Sequence, residues 1–411
     1  MTGVATELPS EIDVAARRRS IAFLNWAHAL DHFVLLIFPT VVIGLEAVYR
    51  RSYDELIALS TAAFIAFGVF SLPAGWLADR WSRRNMMAAF YIGCGLSLVG
   101  TGLAPNLLAM AGAMFLLGVF AAIYHPVGMP MLLEASRAQG RSVAFNGVCG
   151  NLGAALAAGI AAAIASWFGW RWAFLVPGIV CIATGIGYVL MVPDDRHRTA
   201  SRTKIADVPL SQRAAVIMFG LYVVISLSGG LTFNTVSIAL PKIVDERAGA
   251  DLPLFLIGSL ATAVFMCGAL AQIAVGRLVE RFPPYQLFAI IVAFQFFGIL
   301  WASYASGAML MLALAVTMAA IYGQVTVGDL VIARYTADAW RGRVYAVRYF
   351  LTFVSAGAAV SIIAFLYGRG GFDLLLLTVA GIAGIFLLGV IGIVVLVSGV
   401  ERGRRAALPA E

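Results

Sequence analysis

The chain has 411 residues, of which 62% are hydrophobic and 12% charged, with a mean hydropathy of +0.93. A soluble domain carries about 25% charged residues, and no aqueous core could hide this much apolar surface, so soluble enzymes, nucleic-acid binders and disordered chains are excluded. The formal net charge of +7 therefore bears on orientation in a bilayer and not on nucleic acid.

A spanning helix needs about 20 mainly apolar residues. By that measure twelve spans are predicted, near 20–44, 55–78, 85–104, 107–132, 143–166, 172–192, 214–240, 253–275, 285–302, 308–333, 343–368 and 374–399. The first is expected to remain as a span. Glu7, Glu11 and Asp13 precede Arg17–Arg19, and no small-residue cleavage pattern follows. The longest connection, 193–213, is polar and divides six spans from six. The expected organisation is a bundle over 1–192, a cytoplasmic linker over 193–213 and a second bundle over 214–411. Lys and Arg number 21 on the side of the termini and 6 on the other. That asymmetry places both termini in the cytoplasm, for a multi-pass protein of the inner (plasma) membrane. Cys94, Cys149, Cys181 and Cys267 fall in apolar runs and read as small core hydrophobes. Trp167, Trp170 and Trp172 read as an interfacial belt.

Ionisable residues inside a span cost about 2.5–3.5 kcal/mol each on insertion scales, so each needs a reason. The first span holds Asn25, His28, Asp31 and His32, which share one helical face of about 120°. They read as a cavity-lining cluster with a titratable group, the alternative being a polar seam. Two histidines at i, i+4 can also hold a metal; protonation roles are favoured, and no metal or cofactor is expected. In the fourth span, Tyr124 and His125 stand beside Pro126 and Pro130, which predict a break in the helix at a depth matching His28. In the second half, Asn234, Tyr322, Gln324, Asp329, Tyr345 and Arg348 are candidates for a substrate or proton site. Asp329 and Arg348 either pair across two helices or leave Arg348 free to meet an anionic substrate. Asp31 is the acid well inside the first five spans, and so the expected proton carrier.

The halves repeat. GWLADR at 75–80 and GRLVER at 276–281 lie 201 residues apart, and GRSVAF at 140–145 and GRVYAV at 342–347 lie 202 apart. Parallel six-span repeats point to a transporter with its site between the halves.

The loop GWLADRWSRR (75–84) resembles the signature between helices two and three of the major facilitator superfamily, usually G-x-L-A-D-R-x-G-R-R/K, with Ser82 in place of the second glycine. The resemblance implies an all-helical fold of two pseudo-symmetric six-helix bundles. It also implies a conformational latch formed by Gly75, Asp79, Arg80, Arg83 and Arg84, with a degenerate copy at Gly276, Glu280 and Arg281. Asp79 is expected to accept from a helix N-terminus and from Arg83. More narrowly, His28 and Asp31, the IYHPVG run at 123–128 and GVCGNLG at 147–153 resemble the fosmidomycin-resistance type of drug-efflux protein. Here the His-to-Asp spacing is one residue shorter and Val127 replaces an acid. The arginine that many proton antiporters of the superfamily carry in helix four is absent from 107–123, as is the Gly-Pro motif of helix five.

The expected function is secondary active transport by alternating access: proton-coupled efflux of a small amphipathic or anionic molecule. Proton-coupled uptake of an organic anion is the nearest alternative, and a polytopic enzyme using His28, Asp31 and His125 a more distant one. The expected partners are that substrate, protons and membrane lipid, with no nucleic acid, and the chain is expected to be monomeric. No G-x-x-x-x-G-K-[ST] loop occurs, which argues against an ATP-driven pump.

Overall fold

The computed structural model describes residues 11–136, 139–193, 210–249 and 251–406. Most of the predicted linker, 194–209, and Arg137 of the predicted cytoplasmic loops lie outside the described residues. The first half contains α1 (Glu11–Tyr49), α2 (Tyr53–Arg80), α3 (Arg83–Leu103), α4 (Leu107–Ala135), α5 (Gln139–Phe168) and α6 (Trp172–Met191). The second contains α7 (Gln212–Arg247), α8 (Leu254–Leu278), α9 (Pro284–Tyr304) and α10 (Gly307–Tyr335). The last helical run, Asp338–Ala406, is 69 residues long and breaks at Gly370 (φ −155°) and Gly371 (φ 58°). That break divides it into α11 (338–369) and α12 (372–406). The predicted twelve spans are therefore present, the last two joined without a loop.

Length and apolarity drive each helix, and local signals set the ends. Ser82 accepts the Asn85 amide at 3.2 Å and so caps α3, a position the sequence assigned to Asp79. Asn106 caps α4 and Ser211 caps α7 in the same way. α7 runs to Arg247, well past its predicted end near 240, so Lys242 and Arg247 are not in an outer loop. Lys242 is buried, and the helix continues because carboxylates neutralise its charge.

The packing repeats between halves. α1 packs on α5 as α7 packs on α11; α2 on α4 as α8 on α10; and α3 on α6 as α9 on α12. Two approaches are equally close: an added Cβ would lie 1.9 Å from the Ala63 carbonyl oxygen of α2 at Gly118 in α4, and 1.9 Å from the Ala29 carbonyl oxygen of α1 at Gly153 in α5. No other residue allows α1 so near.

The bundles meet through α2 with α11, α5 with α8 and α1 with α7. These contacts lie toward the ends remote from the chain termini. Gly258 of α8 sits against Ala158 and Ala162 of α5, and Lys242 of α7 reaches Glu46 of α1 at 2.5 Å. Toward the termini the last polar contact between α5 and α8 among the described residues is Asn151 with Gln272. One turn further on, a Cβ at Gly147 or Gly276 would meet nothing within 4 Å. The bundles are closed on one side and parted on the other.

Candidate functional site

Where the bundles part, α1, α4 and α5 bring polar groups together inside the first half. Two backbone features make this possible. Pro126 lies within a π turn at Tyr124–Gly128, the local break that the prolines predicted, and it sets Tyr124 and His125 against α1. In α5, Gly150 leaves room for an imidazole, because a Cβ there would lie 2.6 Å from His28 Nε2.

Asn146 of α5, fully buried, is the hub. Its backbone carbonyl accepts from His28 Nδ1 at 2.8 Å, and its side-chain oxygen accepts the Tyr124 hydroxyl at 3.0 Å. Its amide donates to Asn25 Oδ1 at 3.0 Å and to the Leu24 carbonyl at 3.3 Å. A carbonyl can only accept, so His28 carries a proton on Nδ1 and turns Nε2 away. That Nε2 lies 3.2 Å from His32 Nε2. Tyr124 stacks on His28 with centroids 4.9 Å apart, and His125 meets the same ring edge-on at 5.4 Å. One ligand-capable atom from each of His28, His32 and His125 lies within 4.8 Å of the others. Asp31 is fully buried, and its Oδ2 is 3.3 Å from His125 Nε2. That is ion-pair distance without hydrogen-bond alignment, so neither carboxylate oxygen has a hydrogen-bond partner among the described residues. The structure thus joins all six residues that the first half was expected to contribute: Asn25, His28, Asp31, His32, Tyr124 and His125.

The second half reaches this cluster through Phe353 of α11, whose ring is 5.1 Å from His125 and 5.1 Å from Phe67. Tyr349 and Tyr345 continue the ladder of rings along α11. Of the two alternatives for Arg348, the structure has the pair: it bonds to Asp329 of α10, and Tyr345 donates to the Asp329 carbonyl at 2.7 Å. Asn234 is spent on α7 and α11, donating to Gly230 and Thr352 carbonyls and to Ser355. Tyr322 is buried between Phe233 and Phe265, and Gln324 is buried near it in α10, so neither joins the cluster.

The signature loop ties the first bundle to itself. Asp79 pairs with Arg83 at 3.1 Å, Arg83 also binds Glu134 of α4, and Arg84 donates to α6 carbonyls at Val189 and Val192. Arg80 lies over the Trp76 ring, and Gly75 packs against Pro126. Glu280 and Arg281, in the second copy, are exposed and form no ion pair among the described residues.

Sequence reasoning missed Asn146 and Phe353, and it missed the network on the closed side. There Lys242 Nζ lies 2.5 Å from Glu46 and 2.8 Å from Asp245, and its ammonium faces the Tyr53 ring. A lysine beside Pro241 at a predicted helix end looked like ordinary loop charge.

Residues 21–326 match the Major Facilitator Superfamily, and the chain belongs to it. Among curated proteins it is 30% identical to the puromycin resistance protein pur8 of Streptomyces alboniger over 34% of this chain and 29% of that one. It is 31% identical to the membrane sensor protein UhpC of Escherichia coli (strain K12), over 43% of this chain and 41% of that one. It is 24% identical to a probable 4-methylmuconolactone transporter of Cupriavidus pinatubonensis, over 59% and 57%. The chain thus spans less than two thirds of the length of these relatives. Among solved structures it shares its fold with a bacterial homolog of the human lysosomal transporter Spinster in an inward-facing, occupied conformation. The TM-score is 0.72 at 14% identity, over 95% of this chain and 97% of that one.

Proposed function

We propose that the chain is a secondary active transporter that moves a small amphipathic or anionic molecule across the inner membrane by alternating access, coupled to protons and in the direction of efflux. The observation that carries this is the one-sided meeting of the bundles, with the α1–α4–α5 cluster lying where they part. Family membership and relatives named as transporters support the same reading. The bundles over 1–192 and 214–411 rock about the site as two units of one monomer, joined in sequence by the linker over 193–213. With the termini in the cytoplasm, as the charge asymmetry requires, the parted side faces inward. Asp79 and its arginines then act as a latch made and broken as that side closes. Asp31 is the acid assigned to carry the proton, with Asp329 as the next candidate. The resemblance of the first half to the fosmidomycin-resistance type supports the efflux direction. Uptake of an organic anion is the second reading; it requires the Arg348–Asp329 pair to open so that the guanidinium can meet the anion.

The test is transport in proteoliposomes. Counterflow against amphipathic cations, neutral drugs and organic anions selects the substrate, and a pH gradient is then imposed. Uphill movement against the proton flow, abolished by a protonophore, is expected. Uphill movement that ignores the protonophore overturns coupling, and movement with the proton flow replaces efflux by uptake.

A further inference from the structure

The α1–α4 cluster has a donor set that organic-substrate transport does not require: three imidazoles and one carboxylate, converging in a low-dielectric interior. His28 and His32 face each other through Nε2 at 3.2 Å. Two ring nitrogens that close need something between them, either a proton on one or an electrophile shared by both. His28 is fixed in the form a cation needs. Its Nδ1–H is held by the Asn146 carbonyl at 2.8 Å, which leaves the Nε2 lone pair free. An imidazole oriented from behind by a carbonyl or carboxylate is the usual arrangement at metal-binding histidines. His125 brings its Nε2 to 3.3 Å from the Asp31 carboxylate, an ion-pair distance without hydrogen-bond alignment. Asp31 itself is fully buried, and neither of its oxygens has a hydrogen-bond partner among the described residues.

We propose that His28, His32 and His125, with Asp31 as the neutralising carboxylate, form a binding site for one divalent transition-metal cation of the zinc–cobalt–nickel class. Imidazole nitrogens with a carboxylate select these borderline ions over the hard, oxygen-seeking magnesium and calcium. Bonds of about 2.0–2.1 Å place tetrahedral nitrogen ligands about 3.4 Å apart. His28 and His32 already meet that spacing. The three-atom span of 4.8 Å closes when the imidazole of His125, on the π turn of α4, shifts inward by about 1.4 Å. His125 keeps 19% of its side-chain surface exposed, so the cluster is not sealed on every side. The site stands independently of the direction and coupling proposed above, because it concerns equilibrium binding.

The experiment is binding of Co²⁺ to the purified full-length protein in detergent, followed by its visible absorption and by displacement with Zn²⁺. One Co²⁺ per chain is expected, with the spectrum of a nitrogen- and oxygen-ligated ion of low coordination number. His32→Gln and His125→Gln are expected to abolish that spectrum, and Asp31→Asn to weaken binding by about 10–100-fold. Cys267→Ser, which removes an exposed thiol, leaves it unchanged. Binding that survives both histidine substitutions, or a spectrum unchanged from Co²⁺ in buffer, overturns the site. Should the variants fail to fold, X-ray absorption of the Zn²⁺-loaded wild type decides: imidazole scattering supports the site, and sulfur or all-oxygen scattering rules it out. Failure here leaves transport intact, and failure of transport leaves the binding result standing.

Discussion

Asn146 illustrates what a single side chain does inside a membrane. It satisfies Tyr124, Asn25 and the Leu24 carbonyl at once, and no water stands ready in an apolar interior to replace it. Each buried polar group left unpaired costs about 1–3 kcal/mol. Asn146→Leu is therefore expected to lower stability in detergent by at least that amount, read by thermal unfolding; an unchanged transition would show that the hub is not structural. His28, Asp31 and His32 were legible in the sequence because ionisable groups among apolar ones need a reason. Asn146 was not, since a lone asparagine in a span is common and its importance arises only where α1, α4 and α5 converge. Phe353 was hidden for a simpler reason: one of 26 phenylalanines carries no mark of the histidine it will touch.

Helix pairing is decided by a few backbone approaches. Gly153→Leu drives a side chain into the Ala29 carbonyl, which an added Cβ alone would already reach at 1.9 Å. Overpacking of this kind costs about 1–3 kcal/mol or more, so α1 and α5 separate and yield of folded protein falls. Gly147→Leu, where a Cβ meets nothing within 4 Å, is expected to leave stability unchanged; equal losses in both would refute the packing argument. Asp79→Asn acts differently. Its pair with Arg83 is largely solvated, with 70% of the Asp79 side-chain surface exposed, so stability changes little. The change still shifts a near-balanced equilibrium between conformers, and slower transport with normal folding is expected. Unchanged transport and unchanged labelling of the parted side would count against the latch. The helices themselves were readable from apolar length, but their ends were not. α7 gains two turns past its predicted stop because tertiary carboxylates meet Lys242, information that no local window contains.

Across the whole molecule, closure on one side rests on a few charges. Lys242 is held by Glu46 from the other bundle and by Asp245 and Glu246 from its own helix. Removing Glu46 takes away the one partner from the other bundle while Asp245 and Glu246 still neutralise Lys242, so the loss is smaller than the about 3–5 kcal/mol of an uncompensated buried charge, and it falls on the closed conformer. Glu46→Gln is expected to open that side more often, so that a cysteine placed at Gly44, against Leu254, reacts faster with a membrane-impermeant reagent. Identical rates with and without the substitution would show that the contact does not gate. Twelve spans, two repeats and the polar cluster of α1 and α4 followed from hydropathy and motif spacing. Which side stands open did not, because two conformers of one chain share every hydropathy window and differ only in which contacts are made.

The Gly370–Gly371 break carries a mechanical consequence. α11 bears the Phe353 contact to the first bundle, while α12 packs on α9 in its own. A two-residue corner with Gly371 at φ 58° is too short to absorb much relative sliding, so the pair behaves as a bent lever with a short elbow. A push received on one arm is delivered to the other within the same stroke. A few flexible residues inserted at that elbow would turn the lever into a slipping clutch, with both arms still in place and the stroke lost between them.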